Sequence, residues 1–322
     1  MAIRKNNNQL NNTEKDIKYY SKKFWKVFLY TMGGLALFFL FASWGLFGSM
    51  PSFEDLENPD SNLATEIISA DGVVIGKYFE KNRSQLKYSD LPKNLVQALV
   101  ATEDARFYEH SGIDGRGTMR ALLSLGTSGG ASTLTQQLAK QLFHGEGSKF
   151  LPFRIVQKAK EWIIAIRLER QYTKNEIIAM YCNVYDFGNN SVGVSSAAKT
   201  YFSKEPKDLT IDESAILVGM FKNSGLYNPV RNPEGVTNRR NVVLLQMEKA
   251  GIINESQKLK LQRLPIKLNF KLESQKDGTA TYFREYLRDY MKKWMEENKK
   301  ADGSDYNIYK DGLKIYTTID SR

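Results

Sequence analysis

A mostly α protein with a single N-terminal membrane-crossing helix is the fold class this sequence predicts, on three observations. From Leu91 to about Gly251 apolar residues recur at helical spacing; the run from Val27 to Met50 carries no charge; and 42% apolar against 25% charged content fits a sizeable buried core. The 322 residues suffice for one or two domains. An excess of 46 Lys+Arg over 36 Asp+Glu gives a net charge of +10, which suits nucleic acid, an anionic membrane surface or a phosphate-bearing substrate. The single cysteine, Cys182, excludes an internal disulfide, and His110 and His144, the two histidines, form no cluster with zinc-ligand spacing.

Taken in order, residues 1–26 form a basic tail with Arg4, Lys5, Lys15, Lys18, Lys22, Lys23 and Lys26. Residues 27–50, VFLYTMGGLALFFLFASWGLFGSM, are long enough to span a bilayer, and too long for the apolar core of a cleaved signal peptide, the competing reading. Glu54, Asp55, Glu57 and Asp60 follow, so the positive-inside rule puts the N-terminus in the cytoplasm and the rest outside. An outward-facing tethered domain meets lipid head groups, which favours phosphate at the membrane over nucleic acid as the partner of the basic excess. Residues 51–88 read as an extended connector without a core, with Asp71-Gly72 turning a short hairpin. Residues 89–255 are the helical domain, with helical periods at 92–109, 132–143, 153–171, 173–182, 191–201, 210–221 and 234–250. In 256–322 a polar stretch leads to a charged helix, TATYFREYLRDYMKKWMEENKK, and a strand-like close, GLKIYTTID.

Four stretches stand out for chemistry, of which residues 181–204, where Gly188, Asn189, Asn190 and Gly193 make a turn between helices, carry the weakest signal. In NLVQALVATED, Val96, Leu99, Val100 and Glu103 share helical spacing, which puts Glu103 on the apolar stripe. A carboxylate in apolar surroundings has its pKa raised and is thereby prepared for acid–base work near neutral pH, whereas the plainer reading is a helix-end glutamate with its head in water. Asp104 and His110 read as structural, the first bonding the loop and the second packing before Gly112. In GTSGGASTLTQQLAKQLF a small-residue loop leads to a helix start where Thr133 and Gln136 fit a capping box. Free N–H groups there attract anions, and Gln137 and Lys140, three apart, share one face; a well-capped surface helix fits the same pattern. In RIVQKAKEWIIAIRLERQYT, Lys158 and Glu161 point together, as a solvated ion pair also would.

Together these residues resemble the peptidoglycan glycosyltransferases at the front of bifunctional, class A penicillin-binding proteins. The resemblance covers about residues 90–250 and keeps family order: E-D-x-x-F-x-x-H-x-G from Glu103 to Gly112, G-A-S-T-L-T-Q-Q-L-A-K from Gly130 to Lys140, and K-x-x-E from Lys158 to Glu161. Tyr181-Cys182-Asn183, Gly193-Val194, Ala197-Ala198, Tyr201-Phe202, Arg239-Arg240-Asn241 and Met247 follow. Departures are Gln157, Gln141 and Cys182, where the family usually has Arg, Asn and Leu, and a longer segment from His144 to Phe153 that leaves Arg154 as counterpart of a substrate-binding arginine. Ser196 to Lys199 fits S-x-x-K but lacks the partner motifs S-D-N and K-T-G of penicillin-binding enzymes, and reads as coincidence.

The resemblance implies a lysozyme-like glycosyltransferase fold with a smaller, partly membrane-embedded lobe, in a single-pass protein of the bacterial cytoplasmic membrane whose catalytic domain faces out. It implies polymerisation of lipid II, with Glu103 as general base and Glu161 as a second catalytic carboxylate. Ser132, Gln137, Lys140, Arg154, Lys158 and Asn183 are then substrate-binding. No cofactor is required, with room for a divalent cation, Mg2+ or Mn2+. Partners are lipid II, the growing glycan, membrane lipid and proteins of cell-wall synthesis, with no nucleic acid. The close of the chain resembles the junction into a transpeptidase domain. A glycan-cleaving lysozyme or lytic transglycosylase also places a glutamate at a helix end, and a non-catalytic scaffold for cell-wall assembly is the third reading.

Overall fold

The computed structural model describes residues 2–46, 65–78, 82–83, 86–124, 130–143, 150–272, 280–301, 303–309 and 311–321. Among them are eleven helices: α1 Ala2–Ser43, α2 Lys93–Glu103, α3 Gly115–Leu123, α4 Leu134–Phe143, α5 Leu151–Gln171, α6 Lys174–Val184, α7 Val194–Phe202, α8 Ile211–Met220, α9 Pro233–Lys249, α10 Glu255–Gln262 and α11 Thr281–Glu297. Five short strands accompany them: β1 Thr65–Ile68, β2 Val74–Tyr78, β3 Asn82–Arg83, β4 Ser191–Val192 and β5 Lys314–Tyr316. The chain forms two compact units, Met1–Pro51 with Gly147–Ile163, and Ser52–Glu146 with Ile164–Arg322, so the division falls within α5.

In the first unit, Ile17–Ser43 of α1 is long and apolar enough to cross a membrane. The helix stops well before Met50, the predicted end of the span. Gly45 has a φ of 80°, and the N–H groups of Leu46 and Gly45 bond back to the carbonyls of Phe41 and Ala42, the glycine-terminated cap that closes many helices. The basic tail continues the same helix instead of forming a separate segment. Residues 47–50 lie outside the described residues. Phe39 stacks on Trp162 with ring centroids 6.0 Å apart, and the start of α5 exposes Phe150, Leu151, Phe153 and Ile155.

The helical body of the second unit is built around α8, whose residues Ser214 to Met220 are all buried, as a helix apolar on every side must be. A reciprocal cap between Thr210 and Glu213 starts it. Against it pack α2, through Leu95, Val96, Ala98 and Leu99, and α9, through Val236, Val243, Leu244 and Met247. The fully buried Arg240 ion-pairs with Asp212 at 3.0 Å and donates to the carbonyls of Gln262 and Leu264, which ties the end of α10 to the body. Burial raises the Asp212 carboxyl above its ordinary range, against the pull of Arg240.

Every helical period predicted between 92 and 250 corresponds to a helix, with shifted ends. The predicted helix 92–109 stops at Glu103, because Asp104 leaves helical geometry at φ −155° and a single tight turn, Phe107–Glu109, follows. The predicted helix 191–201 begins only at Val194: Ser191 and Val192 pair with Asn82 and Arg83 as a parallel strand, and Gly193 takes φ 82°, ψ 159°. That backbone region is reserved for glycine, and a Cβ at Gly193 would lie 2.8 Å from the carbonyl oxygen of Asn183. Gly193→Ala is therefore expected to destabilise the body by about 1–3 kcal/mol. A lowered urea midpoint at unchanged slope would show it, and a wild-type midpoint would contradict it.

The coreless connector expected over 51–88 is overturned for its described part. β1 and β2 do form the predicted hairpin, but β1 also pairs in parallel with β5, giving the order β2-β1-β5. Ile67, Ile75 and Tyr78 of this sheet, with Ile308 from the segment before β5, are covered by Phe283, Leu287, Met291 and Met295, four residues apart along α11. Each face alone is too small to fold, and together they make a second core. Residues 51–64 lie outside the described residues.

Candidate active site

Glu103 is the last residue of α2. A helix C-terminus concentrates carbonyl dipoles and disfavours an anion, so a carboxylate there needs donors from elsewhere. Two side chains supply them. Arg239 on α9 places its Nη2 3.0 Å from Glu103 Oε1, and Gln137 on α4 places its Nε2 3.3 Å from Oε2. The glutamine amide is held in turn by Tyr181 on α6, whose hydroxyl donates to Gln137 Oε1 at 2.8 Å. The Glu103 side chain is 14% exposed and that of Arg239 11%. The apolar setting predicted for Glu103 is thus corrected: the stripe of Val96 and Leu99 is buried, but the carboxylate at its end is ion-paired, because Arg239 reaches it from a helix 136 residues further on.

The loop after α2 is locked from both sides. Asp104, 7% exposed, accepts from the Leu134 N–H at the start of α4 at 3.0 Å and lies 3.1 Å from His110 Nε2, so the structural roles expected of both residues hold. Phe107 is fully buried beneath the Lys174 ammonium, 4.2 Å from the ring centre. The same ammonium bonds the His110 carbonyl at 2.6 Å. Thr133 caps α4 by accepting from the Gln136 N–H, and its hydroxyl donates to the Gly112 carbonyl. The reciprocal half of the predicted capping box is not made: the Gln136 amide is buried and bonds no backbone N–H.

A small cleft of about 90 Å3 opens beside Glu103, lined also by Asp104, Arg106, Asp114, Arg120 and Ser132. Ser132, predicted to bind substrate, is exposed at its edge, and Lys140 is exposed one turn beyond Gln137. Residues 125–129 of the preceding small-residue loop lie outside the described residues, as do 144–149. Two predicted substrate-binding residues are engaged within the protein. Gln137 has both amide ends occupied by Glu103 and Tyr181. Asn183 both donates to the Leu86 carbonyl and accepts from the Leu86 N–H, which makes it a clamp between α6 and the segment before α2.

In the first unit, Lys158 and Glu161 form the predicted pair at 2.8 Å, with Glu161 10% and Lys158 41% exposed. Arg154 is exposed on α5. For a divalent cation the donor set is poor: the Lys158 ammonium occupies a Glu161 oxygen, and among the described residues no group of three His, Cys, Asp or Glu side chains is placed to hold a metal. Arg239 and Tyr181 are the residues around Glu103 that the sequence left without a role. Both stand in motifs quoted above, Arg239-Arg240-Asn241 and Tyr181-Cys182-Asn183, and only their contacts separate them from neighbours such as the wholly structural Arg240.

The helical body thus pins one carboxylate beside a cleft, between an arginine and an oriented glutamine. The transglycosylase family model matches residues 71–248, more than half of the chain, and the chain belongs to that family. Membership gives the helical body its lysozyme-like glycosyltransferase fold class. Relatives include penicillin-binding protein 1A of Vibrio cholerae, 35% identical over 277 residues and covering 85% of this chain and 32% of that protein. Penicillin-binding protein 1F of Bacillus subtilis is 34% identical, over 81% of this chain and 35% of its own. Penicillin-binding protein 1A of Escherichia coli is 35% identical, over 84% and 30%. The chain thus spans about a third of the length of these relatives. The crystal structure of penicillin-binding protein 1A from Haemophilus influenzae matches 81% of this chain and 27% of its own at 26% identity, with a TM-score of 0.42.

Proposed function

We propose that this chain polymerises lipid II, a disaccharide-peptide on undecaprenyl pyrophosphate, into β-1,4-linked peptidoglycan strands. The observation that carries the reading is Glu103, fixed by Arg239 and Gln137 beside the cleft and standing in the family's first motif. Glu103 takes the proton of the acceptor's GlcNAc 4-hydroxyl as that oxygen bonds to the anomeric carbon of the donor chain, with inversion. The bond from that carbon to the pyrophosphate breaks, and the electron pair leaves with the lipid pyrophosphate. Lys140, Lys158 and Arg154 are assigned to that growing negative charge, with Glu161 orienting Lys158, on the motif order of the family. Ser132, at the cleft edge, is assigned to the sugar.

The apolar part of α1 is proposed as an uncleaved anchor in the cytoplasmic membrane, with the basic tail inside and the catalytic body outside. It confines enzyme and lipid substrate to one surface and raises their effective concentration. Proteins of cell-wall synthesis are its natural partners there. The test is incubation with purified lipid II and separation of the products by gel: lengthened glycan supports the reading, whereas shortening of isolated sacculi with lipid II untouched marks a hydrolase. Lys140→Ala is expected to lower turnover at limiting lipid II by about threefold to tenfold, since an exposed cation makes a charge-assisted contact with the pyrophosphate. Wild-type turnover at low substrate would leave Lys140 a surface residue.

A further inference from the structure

We infer that Tyr181 is a positioning residue for Glu103 and acts on it through the Gln137 amide. The inference rests on the reading of Glu103 as the base and adds the device that aims it. A carboxylate only accepts hydrogen bonds, so the Gln137 amide must turn its NH2 toward Glu103 and its oxygen away. That oxygen meets the Tyr181 hydroxyl at 2.8 Å, while the contact from Nε2 to Glu103 Oε2 is longer, at 3.3 Å. The tighter bond is therefore the one that fixes the amide, and the looser one is the one that serves the base.

Tyr181 is suited to the task. It has no exposed surface, and its ring stacks on Phe221 with centroids 4.8 Å apart and planes 21° apart, so the hydroxyl is fixed in direction. Burial first, and then the nearby charge of Glu103, hold that hydroxyl well above its ordinary pKa, so it stays a donor across the working range. Without it the Gln137 oxygen has no partner at that position, and the amide is free to swing away, which takes its NH2 out of reach of the carboxylate. Glu103 would then hang on Arg239 alone and pivot about that single contact. Displacement by about 1 Å is enough to cost on the order of 100-fold when a base must meet a reacting hydroxyl, so a partial loss of aim is visible in the rate.

The experiment compares Tyr181→Phe, Gln137→Ala and the double variant in the full chain, with melting temperatures alongside. Phenylalanine keeps the ring and its stack on Phe221, so the fold should survive. The expected result is a loss of about 3- to 10-fold in kcat for Tyr181→Phe, the range for one net hydrogen bond, with KM for lipid II near wild type. The double variant should be no slower than Gln137→Ala, because the tyrosine has nothing left to act through. Additive losses, or a change in KM alone, would overturn the proposal. A second readout needs no turnover: the Gln137 side-chain amide signal, identified by its absence in Gln137→Ala, should shift and exchange faster in Tyr181→Phe. An unmoved signal would overturn the positioning role. If the wild-type chain leaves lipid II unconsumed, the functional reading falls while the amide signal still decides whether Tyr181 holds Gln137.

Discussion

Replacing Glu103 with glutamine is expected to cut glycan polymerisation by on the order of 10²–10⁴-fold while leaving the fold and capture of lipid II in place. The amide matches the carboxylate in shape and still accepts from Arg239 through its oxygen, while its NH2 faces that of Gln137, so the long Gln137 contact is lost and the packing of α2 is kept. What disappears is the proton acceptor. Binding of a labelled lipid II and the rate of glycan formation should therefore separate, the first near wild type and the second nearly lost. Activity above about a tenth of wild type would remove Glu103 from the role of base, since losing a general base costs at least about 100-fold.

The second large effect is expected at Arg239. Arg239→Met removes a charge-assisted hydrogen bond from a carboxylate that is 14% exposed, and should lower kcat roughly 10- to 100-fold. Arg239→Lys should restore only part of it. The lysine ammonium is a point charge on a flexible stem, and it cannot reproduce the planar guanidinium that also bonds the Gly219 carbonyl and lies over Tyr227. Melting temperature distinguishes this from unfolding, and a wild-type rate in Arg239→Met would make the ion pair incidental to the reaction.

The parts of the molecule legible in its sequence are those that short-range patterns encode. α8 falls in the helical period at 210–221, and Thr133 before Leu134 signals the start of α4. Two helices escaped, the short α3 and the stripe-less α10, although Asn254 and Gln257 spell out a capping box at the start of the latter. Contacts between distant segments left no such mark. β1 and β5 are about 250 residues apart along the chain, each three or four residues long, and neither has a core without the other, which is why the first looked like a bare connector.

The site divides in the same way. Glu103 was visible because an acidic residue on an apolar stripe is an anomaly within a single helix. Its setting was not, because Arg239 arrives from α9 and the amide of Gln137 is oriented from α6. Asn183 shows the converse: it lies in a family motif and is expected to bind substrate, while its side-chain amide bonds the backbone of Leu86. Motif membership marks residues that matter without saying whether they meet the substrate or hold up the ones that do.

Direct analysis of the products that the unmodified chain forms from purified lipid II in detergent or bilayers tests the central claim. The account predicts that lipid II is consumed, that glycan chains of growing length appear with β-1,4 links, and that lipid pyrophosphate is released in step. Lipid II left intact by folded protein, or glycan shortened instead of extended, would contradict it.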